Sequence, residues 1–511
     1  MEDSLFLNVR SFGACGDGSH DDYEAFAAAI AESVQSGKTV FVPEGLYRLC
    51  KGLEVPYGVN VEGVTYATTG PWQNILDNQD KGKHLEVGVK LQGIGESWID
   101  RRIIKGSWIL VDHDAGNVDG HPTFQLFGNT SVKKLGFVHK GLPPVTDHVV
   151  PYPPAIAAIS TMELGFTRDG ITVEDISLAN AYIGIAFVIG NEIENSYVGR
   201  SETTVSASFG RHRIHNIMGG CLYKGILIKG VLDTIDIQNV QFNLTCYEPC
   251  YSQFRASRCT DIELIRADGL NFTNILSFGA FYGLRTRPGY QSKNVSLRAT
   301  NLNCEGAHPL SIESSGMIKI ANSYFLMLDW AGYSKAKDFI GCLVKSDPNC
   351  PHQSFYLFDN CVFQNGVPCT NPNAKDSTEE SDPVEYGNCT DIEDTSIVVE
   401  LESGHNVQFA NCMLWGWSAC GKHQPVIRFN HHTKGFSSVT FSNTTFTSGV
   451  FQGTLAAVGG DGYQNGELRF DNCRFPDSLA ISDEQKERIS FKNCVVFGTE
   501  GGLEELTNAV K

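Results

Sequence analysis

Charged and polar residues recur at fixed positions of short apolar segments in the second half of the sequence. The segments are Ile226–Lys229, Phe254–Ser257, Leu284–Arg287, Leu310–Glu313, Cys342–Lys345, Val399–Glu402 and Ile427–Asn430. Because strand side chains alternate between two faces, the second and fourth residues of each segment share the outer face. One predicted row is Leu227, Arg255, Arg285, Ser311, Leu343, Glu400 and Arg428; the other is Lys229, Ser257, Arg287, Glu313, Lys345, Glu402 and Asn430. We call these two rows the polar stripe.

Carboxylates held on rigid strands suit acid–base chemistry on a sugar. Glycoside hydrolysis uses two carboxyl groups, about 5–5.5 Å apart for retention and about 6.5–9.5 Å apart for inversion. The spacing puts the backbones of Glu313 and Glu402 two rungs, or about 10 Å, apart. We predict these two as the catalytic pair, with Glu400 as the alternative in the neighbouring row.

One lysine argues against that pair. Lys345 lies between the two glutamates and would lower the pKa that a general acid needs raised. Asp329 is therefore a further candidate for the acid, since an aromatic neighbour such as Trp330 raises the pKa of a carboxyl group.

Cationic side chains of the stripe are predicted to bind substrate, because guanidinium groups bind carboxylates and paired hydroxyls. The predicted binding residues are Arg255, Arg285, Arg287, Lys345, Arg428 and Trp330, the last through stacking on a sugar ring. Trp415, also assigned to a loop, offers the same stacking. The alternative is a ladder of surface ion pairs, each contributing roughly 0–1 kcal/mol to stability and requiring no function.

The elements that position the stripe form a repeat. Residues 354–363 alternate apolar and polar residues, turn at Asn360 and end in Val362-Phe363. The pattern returns around Asn411, Asn443, Asn472 and Asn493, and more weakly around Asn216, Asn239, Asp268, Asn301 and Asn322. Each copy predicts one coil of a solenoid, with loop insertions where the spacing is longer.

Four cysteines, Cys361, Cys412, Cys473 and Cys494, follow the repeated asparagines directly. This position predicts small buried side chains that stack from coil to coil. The alternative, in a secreted chain, is disulfide bonding among Cys342, Cys350, Cys369, Cys389 and Cys420.

The first 48 residues carry a family resemblance. Phe12-Gly13-Ala14-Cys15-Gly16-Asp17-Gly18, followed by Asp21-Asp22, an alanine-rich helix over about 22–33 and the Val42-Pro43-Glu44-Gly45-Leu46-Tyr47 strand, resembles the start of the pectate-lyase-like superfamily. The aspartates are suited to capping the helix rather than to binding metal. The resemblance implies an all-β fold, a right-handed parallel β-helix with an N-terminal capping helix.

We therefore predict one continuous domain, with residues 1–48 as the cap and 49–511 as the β-helix, interrupted by a long insertion at about 364–394. A fainter resemblance to the inulin fructotransferase group rests on Gly70–Asn74 and Ser311–Glu313. The motifs of polygalacturonase-like β-helix hydrolases, Asn-Thr-Asp, Gly-His-Gly and Arg-x-Lys, are absent. The resemblance thus implies a carbohydrate substrate but not one reaction.

The net charge and the composition argue against some classes of binding partner. A net charge of −18 argues against nucleic acid, and no apolar run reaches the roughly 20 residues of a membrane span. No zinc or EF-hand spacing is present, so we predict neither metal nor cofactor. The start has no signal peptide, which predicts a cytoplasmic location for the sequence as written and a secreted one if its start has been removed.

Glycoside hydrolase is the leading functional prediction. A lyase acting on a uronate-containing polysaccharide, a fructotransferase and a glycan-binding spike or adhesin, the last possibly a homotrimer, are the alternatives.

Overall fold

The computed structural model describes residues 5–64, 106–140, 149–160, 169–189, 210–243, 249–289, 294–328, 338–345, 354–366, 395–403, 406–417, 427–430, 438–448, 453–454, 456–459, 467–476, 479–480, 489–497 and 503–506. These residues form β-strands, a short 3-10 helix and two α-helices. The chain divides into two compact units: the first comprises residues 1–255 and 259–276, the second 256–258 and 277–511.

The elements of the first unit begin with a cap and continue into parallel strands. They are β1 (Phe6–Asn8), the 3-10 helix Val9–Phe12, β2 (Asp17–Asp21), α1 (Tyr23–Ser36), β3 (Thr39–Phe41), β4 (Gly45–Leu49), β5 (Leu53–Val55), β6 (Asn60–Glu62), β7 (Ser107–Val111), β8 (Phe124–Leu126), β9 (Ser131–His139), β10 (Ile156–Ser160), β11 (Thr172–Ile189), β12 (His212–Lys229), β13 (Ile235–Phe242), α2 (Pro249–Arg258), β14 (Thr260–Ile265) and β15 (Leu270–Arg287). The ends of α2 and β15 belong to the second unit.

The second unit consists of further strands. They are β16 (Val295–Ile312), β17 (Gly316–Ala321), β18 (Tyr324–Met327), β19 (Asp338–Lys345), β20 (Phe355–Asp359), β21 (Val362–Asn365), β22 (Thr395–Ser403), β23 (Asn406–Ala410), β24 (Met413–Trp417), β25 (Ile427–Asn430), β26 (Ser438–Ser442), β27 (Thr445–Ser448), β28 (Gly453–Thr454), β29 (Ala456–Gly459), β30 (Glu467–Asp471), β31 (Arg474–Pro476), β32 (Leu479–Ala480), β33 (Ile489–Lys492), β34 (Cys494–Phe497) and β35 (Leu503–Leu506).

Each coil of the second unit contributes one strand to each of three parallel sheets. Sheet A contains β17, β20, β23, β26, β30 and β33; sheet B contains β18, β21, β24, β27, β31 and β34; sheet C contains the end of β16 followed by β19, β22, β25 and β29. β16 passes through all three sheets, pairing in turn with β17, β18 and β19. Crossovers between parallel strands are right-handed. The predicted all-β, right-handed parallel β-helix is confirmed.

The turn between sheets A and B is made by the repeated asparagine. Among the described residues, eleven asparagines have left-handed backbone φ angles between 49° and 57°: Asn129 and, at the repeat position, Asn216, Asn239, Asn274, Asn301, Asn322, Asn360, Asn411, Asn443, Asn472 and Asn493. Asparagine tolerates this conformation better than most residues. Its side chain also links coils: Asn360 Nδ2 donates to Asn322 Oδ1 at 2.8 Å, and Asn472 Nδ2 to Asn443 Oδ1 at 2.6 Å.

One predicted repeat position was wrong. Asn274, not Asp268, makes the turn of its coil, with a φ of 57° and an Nδ2 that donates to Asn239 Oδ1 at 3.1 Å. Asp268 instead accepts a hydrogen bond from the backbone N–H of Gly269 at 2.8 Å. An acidic residue before a glycine matched the repeat by composition, although its role is to form a tight turn.

The core of the second unit contains aligned aromatic rings. Phe358, Phe409, Phe441, Phe470 and Phe491 stack in succession, with ring centroids 4.6–5.3 Å apart. The strand register places each of these phenylalanines directly opposite the phenylalanine of the next strand, so the rings lie at the same depth in the core.

The repeated cysteines lie beside these rings as free thiols. Cys361, Cys412, Cys473 and Cys494 are all buried and unbridged, as predicted, and Cys342 is also a free buried thiol. The other cysteines of the disulfide alternative, Cys350, Cys369, Cys389 and Cys420, lie outside the described residues, as does most of the predicted insertion at 364–394.

At the N-terminus the predicted helix is longer than expected. It spans Tyr23–Ser36 and buries Phe26 and Ile30, and Phe26 packs edge-on against Tyr47 at 5.4 Å. Asp21 Oδ1 accepts the backbone N–H of Tyr23 at 3.2 Å, so the cap hydrogen bond comes from Asp21. No helix among the residues described here is long and apolar enough to span a membrane.

Candidate functional site

Sheet C places one row of the polar stripe in register. Ser311 lies opposite Leu343, Leu343 opposite Glu400, and Glu400 opposite Arg428, in the order that the sequence predicts. Neighbouring rungs of a sheet are about 4.8 Å apart, so Ser311 and Glu400 are about 10 Å apart along the stack.

The second row departs from its predicted register. A β-bulge after Val344 moves Lys345 opposite Ser403 instead of opposite Glu402. A bulge inserts one extra residue on one strand and turns the following side chains. The spacing between Glu313 and Glu402 is therefore not the simple two-rung step that alternation predicts. Lys345 itself is exposed.

Arg285 and Glu313 form the central ion pair of this region. Arg285 Nε donates to Glu313 Oε1 at 2.6 Å, and a terminal guanidinium nitrogen donates to Oε2 at 3.1 Å. Ser311 Oγ donates to Glu313 Oε1 at 3.0 Å. The two charged side chains are 22% and 13% exposed, so solvent reaches them only in part. Such a two-point pair holds the carboxylate in one orientation.

Aromatic groups lie directly beside this pair. The Arg285 guanidinium carbon lies 4.2 Å from the centre of the Tyr282 ring, which stacks on the His308 ring at 5.0 Å. Burial lowers the pKa of His308 to about 4, and the charge of Arg285 adds to this effect. At neutral pH His308 is therefore an uncharged imidazole next to an arginine and a carboxylate.

The rest of the predicted stripe is less exposed than alternation suggests. Ser311 and Glu400 are 0% and 2% exposed, and Arg287 is 9% exposed. Arg285 and Glu313 form an ion pair, as the alternative of an ion-pair ladder expects, so that alternative stays a prediction.

Arg255 does not belong to the stripe. It lies in α2, a helix that the sequence analysis took for a strand, and Leu227 of β12 lies opposite Glu263 of β14 instead. Arg255 is 0% exposed; its guanidinium donates to Asp261 Oδ2 and to the Cys221 carbonyl oxygen, each at 2.6 Å. Its prediction as a substrate-binding residue was wrong, because the side chain is sealed inside the first unit.

Glu263, the residue that lies opposite Leu227 in place of Arg255, belongs to a second buried ion pair. Lys224 donates to Glu263, and both side chains are almost completely buried. Lys224 also lies over the Tyr223 ring at 4.9 Å. The sequence offered one signal for this pair, since Glu263 alternates with Ile262 and Leu264 as a strand residue does.

Several predicted site residues cannot be compared with the structure. Asp329 and Trp330 lie outside the described residues. The backbones of Glu402 and Arg428 are described in β22 and β25, but their side chains are not. Their proposed roles stay predictions.

Sheet B carries a polar and aromatic surface, of which only Trp415 was predicted from the sequence. Tyr324 O–H donates to Gln364 Oε1 at 2.6 Å, and Gln364 lies opposite Trp415, whose side chain is 47% exposed. Glu305 lies one rung before Leu326 on the same sheet, and burial raises its pKa. Trp415 was expected in a loop, yet it lies on β24. The alternation of apolar and polar residues after each repeated asparagine could have predicted this strand and the surface on it.

Comparisons with known proteins agree with the resemblance at the N-terminus. Residues 6–80 match the family described as rhamnogalacturonase A/epimerase, pectate lyase-like. The chain is 32% identical over 116 residues to alginate lyase 7 of Azotobacter vinelandii, and 27% identical over 101 residues to glucan 1,3-beta-glucosidase of Cochliobolus carbonum. These matches cover 22% and 20% of this chain and 13% of each relative's length.

Among solved structures, a mutant DFA-IIIase from Arthrobacter chlorophenolicus A6, in complex with DFA-III, aligns with 94% of this chain and 98% of its own. The sequence identity is 13% and the TM-score is 0.48. At these values the alignment carries no information about activity.

Proposed function

We propose that the protein is a carbohydrate-active enzyme, and specifically a glycoside hydrolase whose chemistry takes place on sheet C of the second unit. The observation that carries the proposal is the Arg285–Glu313–Ser311 arrangement, which holds the Glu313 carboxylate in one orientation directly after the end of β16. The pectate-lyase-like match at residues 6–80 and the names of the matched relatives, a glucosidase and a lyase, support a carbohydrate substrate.

In this proposal Glu313 is the ionised partner, acting as base or nucleophile. Both of its oxygens accept hydrogen bonds from Arg285, and Oε1 also accepts one from Ser311, so the carboxylate is held in one orientation. Glu313 is therefore suited to activate a water molecule or attack the sugar, not to protonate the leaving group.

The general acid must be a different carboxyl group. Glu400 is one candidate: it lies on sheet C about 10 Å from Ser311 along the stack, but it is only 2% exposed, so a substrate reaches it only if the side chains around it move. Glu402 and Asp329 stay in the proposal as alternative acids. Arg285, Arg287, Lys345, Arg428 and Trp330 are the proposed substrate contacts.

A panel of polysaccharides with product analysis tests the proposal. We expect a new reducing end without an unsaturated product, and a loss of at least about 100-fold in kcat/KM for Glu313→Gln. Glu467→Gln is the matched control, since Glu467 also pairs with an arginine but lies at an exposed site. Full turnover in Glu313→Gln would show that the catalytic residue is elsewhere.

Substrates with different leaving groups identify the acid. The variant that lacks the general acid should lose activity on natural glycosides but keep most of it on an aryl glycoside, whose phenolate leaves without protonation. We expect this behaviour for Glu400→Gln. The same behaviour in Glu402→Gln or Asp329→Asn instead would reassign the acid.

A lyase is the second candidate, and His308 is the observation that favours it. His308 is a neutral imidazole that can accept a proton, although a pKa of about 4 makes it a weak base, and Arg285 beside it can pair with a uronate carboxylate. Ultraviolet absorbance from an unsaturated product would identify a lyase and exclude the hydrolase. Binding of several glycans without turnover of any would instead favour the spike or adhesin.

A further inference from the structure

A cysteine, a histidine and an aspartate meet in the glycine-rich loop before α1. The ligand atoms of Cys15, His20 and Asp22 all lie within 4.8 Å of one another. Around a zinc ion with bonds of about 2.0–2.3 Å, tetrahedral ligand atoms are separated by about 3.3–3.8 Å. We propose that Cys15, His20 and Asp22 bind a divalent transition-metal ion, with zinc as the best fit, at a site independent of the proposed carbohydrate chemistry.

The backbone around these three residues is already fixed by hydrogen bonds. Asp17 Oδ1 accepts the backbone N–H groups of Ser19 at 2.8 Å and His20 at 2.9 Å. The Asp22 carboxylate accepts the N–H groups of Cys15 at 2.6 Å and Gly16 at 3.3 Å. Ion binding therefore requires rotation of side chains, not rearrangement of the loop.

Glycine at position 16 keeps the loop close to the protein. Gly16 has a φ of 63°, and a Cβ there would come within 2.8 Å of the Tyr47 ring. Only glycine fits this contact without strain. The loop that carries Cys15 is consequently held against the first coil.

The orientation of Asp22 is compatible with such a site. Asp22 occupies the N-cap position of α1, yet its side chain makes no cap hydrogen bond, and Asp21 accepts the first helix N–H instead. The carboxylate of Asp22 is turned toward Cys15 and is 0% exposed.

The chemistry of the three ligand atoms determines which metal ion the site prefers. Thiolate and imidazole ligands favour zinc and its neighbours over calcium and magnesium, which prefer oxygen ligands. Three protein ligands leave one tetrahedral position for water or an exogenous group. Because the thiol must lose its proton, binding should weaken as the pH falls.

Alkylation of Cys15 in the full-length protein, read by mass spectrometry of its peptide, tests the site with Zn²⁺ alone. Cys15 is exposed, so it reacts readily without metal. At about ten times the dissociation constant, Zn²⁺ should slow alkylation of Cys15 about tenfold, by mass action. His20→Ala should abolish the protection, whereas Cys50→Ser, which alters a half-buried cysteine of the same unit, should keep it.

Cobalt provides a second readout. Co²⁺ alone should give a thiolate-to-cobalt charge-transfer band that Cys15→Ser and His20→Ala each remove and Cys50→Ser retains. Both altered residues are exposed, so the variants should fold. Unchanged alkylation of Cys15 at millimolar Zn²⁺, or equal protection in His20→Ala, would overturn the proposal.

Discussion

Arg255 and Arg285 were predicted at equivalent positions of the polar stripe, yet the structure gives them opposite surroundings. Arg255 is fully enclosed with Asp261 in the first unit, whereas Arg285 and Glu313 are partly exposed in the second. A sealed ion pair contributes only to the fold, because no ligand can reach it. A partly exposed pair with one fixed carboxylate can also act on a ligand.

The largest expected effect comes from breaking the sealed pair. Asp261→Ala leaves the Arg255 guanidinium buried without its counter-charge, and we expect the free energy of unfolding to fall by about 3–5 kcal/mol. Urea denaturation measures this change. The double variant Arg255→Met with Asp261→Leu removes both charges and should recover most of the loss; no recovery would mean that the pair itself is required.

The second-largest expected effect on stability concerns the His308 imidazole beside the Arg285–Glu313 pair. The pKa of His308 is lowered from 6.5 to about 4, so the folded protein keeps it neutral while the unfolded chain protonates it below about pH 6.5. The stability contributed by neutral His308 is therefore complete above pH 6.5 and is lost as the pH falls toward 4.

His308→Phe keeps a ring against Tyr282 and removes this titration. The difference in unfolding free energy between the two proteins should change by about 3 kcal/mol between pH 7 and pH 4. Parallel curves through this range, measured by denaturation at each pH, would contradict a buried neutral imidazole.

The smallest effect on stability is expected at the exposed pair. Arg285→Ala removes a two-point contact that solvent partly reaches, and we expect a loss of about 1–2 kcal/mol, less than half of that for Asp261→Ala. Arg469→Ala is the matched control: its pair with Glu467 is more exposed, so no measurable change is expected. Equal losses for Arg285→Ala and Asp261→Ala would remove the contrast between the two regions.

The repeat was readable from the sequence because its chemistry is local. An asparagine that tolerates a left-handed turn and a phenylalanine before it recur in each coil from Asn360 to Asn493, and a cysteine follows the asparagine in each of these coils except that of Asn443; the structure uses each for the expected purpose. Strand alternation also gave the correct register of Ser311, Leu343 and Glu400. These features depend on backbone conformation and on nearest neighbours in the stack.

Only the tertiary structure decided which of the outward-facing residues are buried. Alternation identifies the face on which Glu400 or Arg287 lies, but not how much of each residue solvent reaches, and both residues are buried. A four-residue apolar segment also does not distinguish a strand from a helix, which is why Phe254–Ser257 was misassigned. The side-chain pairing of Arg285 with Glu313, on which the proposed chemistry rests, arises from packing between coils rather than from any local pattern.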